Sequence, residues 1–373
     1  MERIAEQVSR VSSFVVGVRD VGRVLAAIQA SSELWEIVSL SDRPFNVVVE
    51  ITRLLHAEGL ISFVDGRVVL TPAGQELCRE REVVPRMMHR CPTCGGSGVS
   101  VMAFEKALAR FKELAANRPS PKVDLDQAYV TPETTMARIA VMADRGDLAR
   151  RDLIILGDDD LMGLAAALTG LPRRVVVLEL DADLIYFIGQ TAKEEGLAVE
   201  TSIQDLRDPL PDHYLGAFDT FFTDPPDTLG GLELFVARAL SAVRSPGSAG
   251  YFGVTNIESS LYKWRKWQRR LLDKYGLVIT DIVRDLSTYA NWPYLVDRIG
   301  FDLEPLRHPP EKPWYKSSLY RVELLSDSVR EPDEGMDKRL YIDQESLLWS
   351  QRSFPSEDQR PSEGKDQRNV EST

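Results

Sequence analysis

Asp152-Leu-Ile-Ile-Leu156, followed by Gly157-Asp158-Asp159-Asp160 and then by the apolar stretch Leu161 to Leu168, decides the fold of this chain. An apolar run that ends in a turn and passes into a second apolar run predicts strand, turn and helix. That is the place where a doubly wound α/β fold binds a nucleotide cofactor. Most such folds put several glycines there, so that backbone approaches phosphate at a helix N-terminus. This chain has one glycine and three consecutive carboxylates. Three anions repel a phosphate and attract a cation, so the expected ligand is positively charged and lacks a pyrophosphate. Asp158 or Asp160 also suits the cap of the helix expected from Leu161.

The flanking sequence repeats the pattern. Arg174-Val-Val-Val-Leu-Glu179-Leu-Asp181 predicts a second buried strand ending in acid. Glu179 follows Gly157 by 22 residues, close to the ~20-residue offset at which an acid holds ribose hydroxyls. An amphipathic helix is expected from Ala182 to Glu195, stopped by Gly196. Further strands are expected at Ala198 to Ile203, ahead of Asp205, and at Phe218 to Thr223, ahead of Asp224-Pro225-Pro226-Asp227. A fifth, Gly250 to Thr255, follows a helix from Leu232 to Val243. Alternation at βαβ spacing predicts a parallel sheet with its ligand beyond the carboxyl ends of the strands. Those ends carry Asp158, Asp159, Asp160, Glu179, Asp205, Asp224 and Asp227, a basket of carboxylates. Asp181 and Asp205 suit helix N-caps equally well.

Gly157-Asp-Asp-Asp160 together with Asp224-Pro-Pro226 resembles the branched-chain polyamine synthases, the N4-bis(aminopropyl)spermidine synthases of thermophiles. Thr255-Asn-Ile-Glu258-Ser-Ser-Leu-Tyr-Lys263-Trp264 and Cys91-Pro-Thr-Cys94-Gly-Gly-Ser-Gly98 share in the likeness, which covers roughly residues 1 to 325. Residues 177 to 185 are also similar to the second strand of ordinary spermidine synthases, whose glycine-rich first turn this chain lacks. The resemblance implies a Rossmann-like, methyltransferase-type sheet behind a winged-helix-like N-terminus. It also implies transfer of an aminopropyl group from decarboxylated S-adenosylmethionine, as co-substrate, to a secondary amine of spermidine. On that reading Asp159 orients and deprotonates the attacking amine, because an ammonium has no lone pair. Asp158 and Asp160 complete the electrostatic site. Glu179, with Gly157 and Asp181, holds the ribose, and Asp205 accepts from the adenine amino group. Asp224 with Pro225 and Pro226 sits over the transfer point, while Asp227 and Glu258 receive the distal amines. Tyr251, Trp264 and Trp292 are candidate packing partners for methylenes or ammonium groups. No metal is required. The Asp-Pro-Pro loop has a rival meaning in amino methyltransferases, where an aromatic follows it and stacks on a flipped base. Here Asp227 follows, and the next aromatic is Phe235.

In residues 21 to 80, helices are expected around Val24 to Ile28, Leu34 to Leu40 and Phe45 to His56. A hairpin through Asp65-Gly66 and a helix opened by Thr71-Pro72 complete a winged-helix-like pattern. Residues 1 to 90 hold 11 Arg, no Lys and 12 acids, and the would-be recognition helix offers only Arg53 and His56 beside Glu50 and Glu58. A DNA-binding module shows a basic footprint, so domain packing or dimerisation is the expected role, and a regulator sensing a cationic metabolite is the alternative of another class. Cys91-X-X-Cys94 supplies two of the four ligands a zinc site needs, and neither Cys78 nor His89 completes a recognised spacing. A Gly-rich knuckle without metal is therefore expected, with a redox pair or a half-site shared across a dimer as the alternatives. The net charge of −12 divides as −1 in residues 1 to 90, −6 in 91 to 325 and −5 in the remainder. That balance favours cationic partners over nucleic acid. The expected division is a winged-helix-like domain (1–90), a Cys-X-X-Cys knuckle with a linker helix (91–125), a Rossmann-like catalytic domain (126–325) and a flexible acidic tail (326–373). Within the tail, Leu340-Tyr341-Ile342 and Leu347-Leu348-Trp349 are apolar enough to dock, as a lid over the site or not at all. Absence of an apolar span points to a cytoplasmic enzyme, and a homodimer is expected.

Overall fold

The structure, a computed structural model, describes residues 1–12, 15–87, 91, 94, 96–244, 246–292, 295–325 and 340–346. His89, Leu347-Leu348-Trp349 and the rest of the expected tail other than residues 340–346 lie outside the described residues.

Helices α1 (Glu2–Ser12), α2 (Val18–Ala30), α3 (Leu34–Ser41) and α4 (Phe45–Ala57) come first, then strands β1 (Ile61–Val64) and β2 (Arg67–Leu70) and helix α5 (Pro72–Glu80). The hairpin pairs Val64 with Arg67 across Asp65-Gly66. Thr71 caps α5 by accepting from the Gly74 N–H, with Pro72 at the first helical position. Along α4, Phe45, Val48, Ile51 and Leu55 are buried, whereas Arg53 is tied to Glu50 and His56 stacks on Phe63. The apolar side of α4 faces inward, because its core also contains Ile257, Tyr289, Trp292, Trp314 and Tyr315 from the end of the chain.

Helices α6 (Glu105–Ala115) and α7 (Pro132–Asp144) lead into the sheet, built as β3 (Asp152–Leu156), α8 (Met162–Leu168), β4 (Arg174–Glu179), α9 (Ala182–Glu195), β5 (Val199–Ile203), β6 (Thr220–Thr223), α10 (Leu229–Ala242) and β7 (Ala249–Val254). Helix α11 (Leu261–Arg269), strand β8 (Leu277–Thr288), helix α12 (Leu295–Arg298) and strand β9 (Lys316–Leu324) follow. The strand order is β5-β4-β3-β6-β7-β9-β8. The first five strands are parallel, as expected, but β9 and β8 are antiparallel, so the sheet is mixed. The chain first runs along the edge as β8 and then returns as β9 between β8 and β7, antiparallel to both, a pairing that leaves no βαβ signature. β3 is buried along its whole length because alternate residues feed two cores. Leu153 and Ile155 face α7 and α8, while Ile154 and Leu156 face α10.

Candidate functional site

Register positions the site. Leu156 lies opposite Leu178 on one side and Thr223 on the other, so Gly157, Glu179 and Asp224 emerge together at the point where the strand order reverses. Gly157 turns there with φ +72°, in the left-handed region that favours glycine, and its N–H reaches the Leu178 carbonyl.

The three carboxylates after Gly157 go to three destinations. Asp158 is buried and accepts from the Met162 and Gly163 N–H groups at 2.5 and 3.0 Å, closing the first turn of α8, which begins at Met162. Asp159 faces the cavity; one oxygen accepts from the Ala128 N–H at 2.8 Å, and its carbonyl accepts from Arg118. Asp160 turns inward, accepting from the Val130 N–H at 2.7 Å and pairing with buried Arg138.

The cavity extends to either side of Asp159. Toward one end stand Gly157, Glu179, Asp205, Leu206, Pro226 and Phe235. Glu179 accepts the N–H groups of Asp158 and Asp181 at 2.8 and 2.9 Å, so it braces the loop it helps to line. Toward the other end stand Asp126, Asp227, Glu258, Trp292 and Tyr315. Tyr315 donates to Glu258 at 2.9 Å and stacks edgewise against Tyr289 and Trp292. Asp224 and Tyr289 lie between, joined by a 2.6 Å hydrogen bond from the phenol. Leu340, Tyr341, Ile342 and Ser346 form a further wall. That segment is seated by Thr228 donating to the Leu340 carbonyl and by Asn46 of α4 donating to the Gln344 carbonyl at 2.9 Å. Glu345 accepts from the Ser260 hydroxyl at 2.9 Å, and the Lys263 ammonium joins Asp343 at 2.8 Å to the Asp227 carbonyl at 2.9 Å.

Of the residues singled out from sequence, Gly157, Asp159, Glu179, Asp205, Asp224, Pro225, Pro226, Asp227 and Glu258 line one cavity, and Trp292 joins them. Asp158, Asp160 and Asp181 do not. Asp181 caps α9 through the Asp183 N–H and takes Lys122 and Gln127 on its oxygens. Asp205 is held by Arg207. Tyr251 is buried with its hydroxyl on Asp147, and Trp264 packs on Tyr320; neither lines the cavity. Sequence reading missed Asp126, Arg118, Arg138, Tyr289, Tyr315 and Phe235. Phe235 is the aromatic delayed beyond Asp-Pro-Pro, and it arrives beneath Gly157. Arg138 sits inside an amphipathic helix, where an arginine reads as surface. Among the described residues no group of three His, Cys, Asp or Glu side chains has metal-binding geometry, and Cys91 and Cys94 are not joined by a disulfide.

The site stores protons. Burial pushes the Asp159 carboxyl up to about 6, against the opposing pull of Arg118 and with a further push from Asp224 and Glu179. Burial likewise lifts Asp160 to about 7 despite Arg138. Asp227 is raised well above the usual range by burial and then by Glu258. Asp126, reachable by solvent in the cavity, is raised by its enclosed surroundings and by Glu258 and Asp227. Asp205 moves the other way, lowered by the hydrogen bonds from Arg207. A cavity whose carboxylates resist ionisation when empty is stabilised by a cation that replaces the protons.

An acid-lined crevice at the switch point of a doubly wound sheet defines an α/β protein built for a cationic ligand. The family model for the branched-chain polyamine synthase A C-terminal domain matches residues 106–348. The N(4)-bis(aminopropyl)spermidine synthase of Thermococcus kodakarensis is 44% identical over 93% of this chain and 99% of its own length. The synthase of the same name from Thermus thermophilus is 44% identical over 87% of this chain and 92% of its own. The branched-chain polyamine synthase of Thermus thermophilus, solved with N4-aminopropylspermidine and 5′-methylthioadenosine, superposes with a TM-score of 0.84 at 40% identity, covering 93% of this chain and 98% of that one. The chain belongs to the branched-chain polyamine synthase family.

Proposed function

We infer that this chain transfers the aminopropyl group of decarboxylated S-adenosylmethionine to a secondary amine of spermidine, giving a branched polyamine and 5′-methylthioadenosine. The observation that carries this reading is the pair of molecules in the Thermus thermophilus relative, an aminopropylated spermidine and methylthioadenosine. They are the two products of such a transfer. The attacking nitrogen gives its lone pair to the aminopropyl carbon, and the carbon–sulfur bond breaks with its electrons going to sulfur. The sulfonium becomes a neutral thioether. The proton of the attacking amine passes to Asp159, the cavity carboxylate raised to about 6 and hence suited to accept near neutral pH. Alignment of nitrogen, carbon and sulfur supplies much of the remaining rate.

Glu179 holds the ribose diol, Asp205 accepts from the adenine amino group, and Phe235 with Leu206 gives the base an apolar seat. Asp224, stiffened by Pro225 and Pro226, stands over the transfer point. Asp227, Glu258 and Asp126 receive the distal ammonium groups against Tyr315 and Trp292. Asp158, Asp160 and Asp181 act by holding the loops. Residues 1–90 form a winged-helix-like domain that packs on the Rossmann-like, methyltransferase-type unit of residues 126–325, with 91–125 between them and an acidic tail from 326. The protein works in the cytoplasm as a homodimer and needs no metal.

Incubation of the full chain with spermidine and decarboxylated S-adenosylmethionine, read by mass spectrometry, tests the reading. Aminopropylated spermidine and methylthioadenosine are expected, the latter only when polyamine is present. Methylated product from S-adenosylmethionine, or specific DNA retention without turnover, would replace the reading with the methyltransferase or the regulator.

A further inference from the structure

Arg138 belongs to no motif and does not line the cavity, yet it is fully buried behind the site. Rising from the middle of α7, its Nη1 donates to Asp160, its Nη2 to Asp224 at 2.6 Å and its Nε to the Ser287 hydroxyl at 3.0 Å. One side chain thus ties together the turn after β3, the loop after β6 and the end of β8. The Tyr289 hydroxyl donates to the same oxygen of Asp224 at 2.6 Å. The other oxygen of Asp224 lies over Gly253, where any Cβ would collide with it. The Asp224 carboxylate is therefore fixed from both sides.

A guanidinium behind a site for polycations repels what the site must bind, so attraction of substrate does not account for it. What it does is compensate two carboxylates held in low dielectric, and its planar fork serves both at once. We propose that Arg138 is a positioning residue for the transfer: it fixes the orientation of the Asp160 and Asp224 carboxyls and leaves Asp159 to exchange the proton. This rests on the aminopropyltransferase reading. The ionisable groups around the pair are Asp158 and Asp159 from the same turn, Glu179 from β4, Asp227 from the Asp-Pro-Pro loop and Tyr289 after β8. Arg118 is turned to Asp159 and Lys263 to the Asp227 carbonyl. Burial already lifts Asp160 to about 7 with Arg138 in place. A lysine keeps the charge but gathers its donors on one nitrogen at the end of a flexible stem, so it does not reproduce the planar fork that spans Asp160, Asp224 and Ser287, and the two carboxyls lose their fixed geometry.

The test compares Arg138→Lys with the unaltered chain, using decarboxylated S-adenosylmethionine and spermidine across the acid and neutral range. Expected is a fall in kcat of about ten- to a hundredfold with a much smaller change in the spermidine KM. The acid limb of the kcat profile moves up by about one pH unit, while methylthioadenosine affinity, set at the Glu179 end, is unchanged. A folded Arg138→Lys protein with the original kcat and acid limb overturns the proposal. Should that variant fail to fold, Tyr289→Phe decides. It removes one donor from Asp224 and should lower kcat and move the limb the same way, and an unmoved profile is again fatal. Carboxyl-13C aspartate labelling reads the Asp160 midpoint without turnover. If the unaltered chain makes no aminopropyl product, the functional reading fails by itself; an Asp160 midpoint unmoved in Arg138→Lys overturns the positioning role in either case.

Discussion

At the scale of single residues, one acidic tripeptide does three jobs. Asp158 closes a helix, Asp160 meets an arginine, and Asp159 alone turns to the cavity. Asp159→Asn keeps the shape and can still accept from the Ala128 N–H, but the amide cannot take a proton from the amine. Turnover should fall by ~10²–10⁴, while calorimetry still detects polyamine binding, weakened by the lost charge. The wild-type rate should rise as pH passes through about 6, where Asp159 loses its proton, and Asp159→Asn should lack that rise. Near-normal turnover in Asp159→Asn would move the base elsewhere, with Asp224 the first to test. Glu179→Gln should weaken methylthioadenosine binding by roughly ten- to a hundredfold, since bonds to charged groups are worth ~1.5–3 kcal/mol. It should also lower the melting temperature, because both Glu179 oxygens serve backbone N–H groups of the site loops. Unchanged affinity in calorimetry would remove Glu179 from the ribose site.

At the scale of elements, the segment 340–346 is a wall with its own anchors. Glu345 sits on the N-terminus of α11, Asp343 on the Lys263 ammonium, and Leu340, Tyr341 and Ile342 face the cavity. Deleting residues 327–373 should reduce turnover severalfold or more, since a closed wall excludes water and completes a site. Stability should fall less, because the sheet is untouched and only Leu340 and Tyr341 leave the edge of the core beneath α10; the lost acceptor at Ser260 costs on the order of 1 kcal/mol. The pair Asp343→Asn with Glu345→Gln loosens the anchors while keeping the wall residues, and should raise the spermidine KM more than it lowers kcat. Full activity in the deleted chain would leave the segment without a part in the reaction.

For the whole molecule, the proton store makes stability depend on pH. The folded-state carboxyls of Asp158, Asp159, Asp160 and Asp227 are all raised, burial being the largest cause in each. The native state therefore binds more protons than the unfolded chain above pH ~4, where free aspartate titrates. Their contribution to stability is complete below that value and is lost as pH rises through about 6 and about 7. Spermidine supplies the missing positive charge, so its stabilising effect should grow over the same window. Melting curves with and without spermidine check this; a larger ligand-induced rise at pH ~5 than at ~8 would contradict it. The N-terminal helices belong to the same whole, since α4 shares a core with Tyr289, Trp292 and Tyr315 of the cavity wall and Asn46 holds the Gln344 carbonyl. Among the described residues, no helix is long and apolar enough to cross a membrane.

Sequence alone determined what depends on neighbours along the chain. Alternating apolar strands and helices, the Asp181 cap and Gly196 stop of α9, the Asp65-Gly66 hairpin and the Thr71-Pro72 helix start all follow from local periodicity and capping, which act over a few residues. The gathering of Asp159, Glu179, Asp205, Asp224 and Asp227 was legible too, because parallel strands bring their carboxyl ends to one side. Tertiary structure decided which acids face the cavity, since that depends on who meets each carboxylate. Asp160 and Asp224 are claimed by Arg138 from a helix that precedes the sheet, and Asp158 by the helix it starts. The antiparallel pair β9 and β8, the aromatic wall of Tyr289, Trp292 and Tyr315, and the seat of residues 340–346 likewise join segments far apart in sequence. Their partners are chosen by long-range register and burial, and burial also sets the proton affinities on which the chemistry depends; neither leaves a periodic mark on the chain.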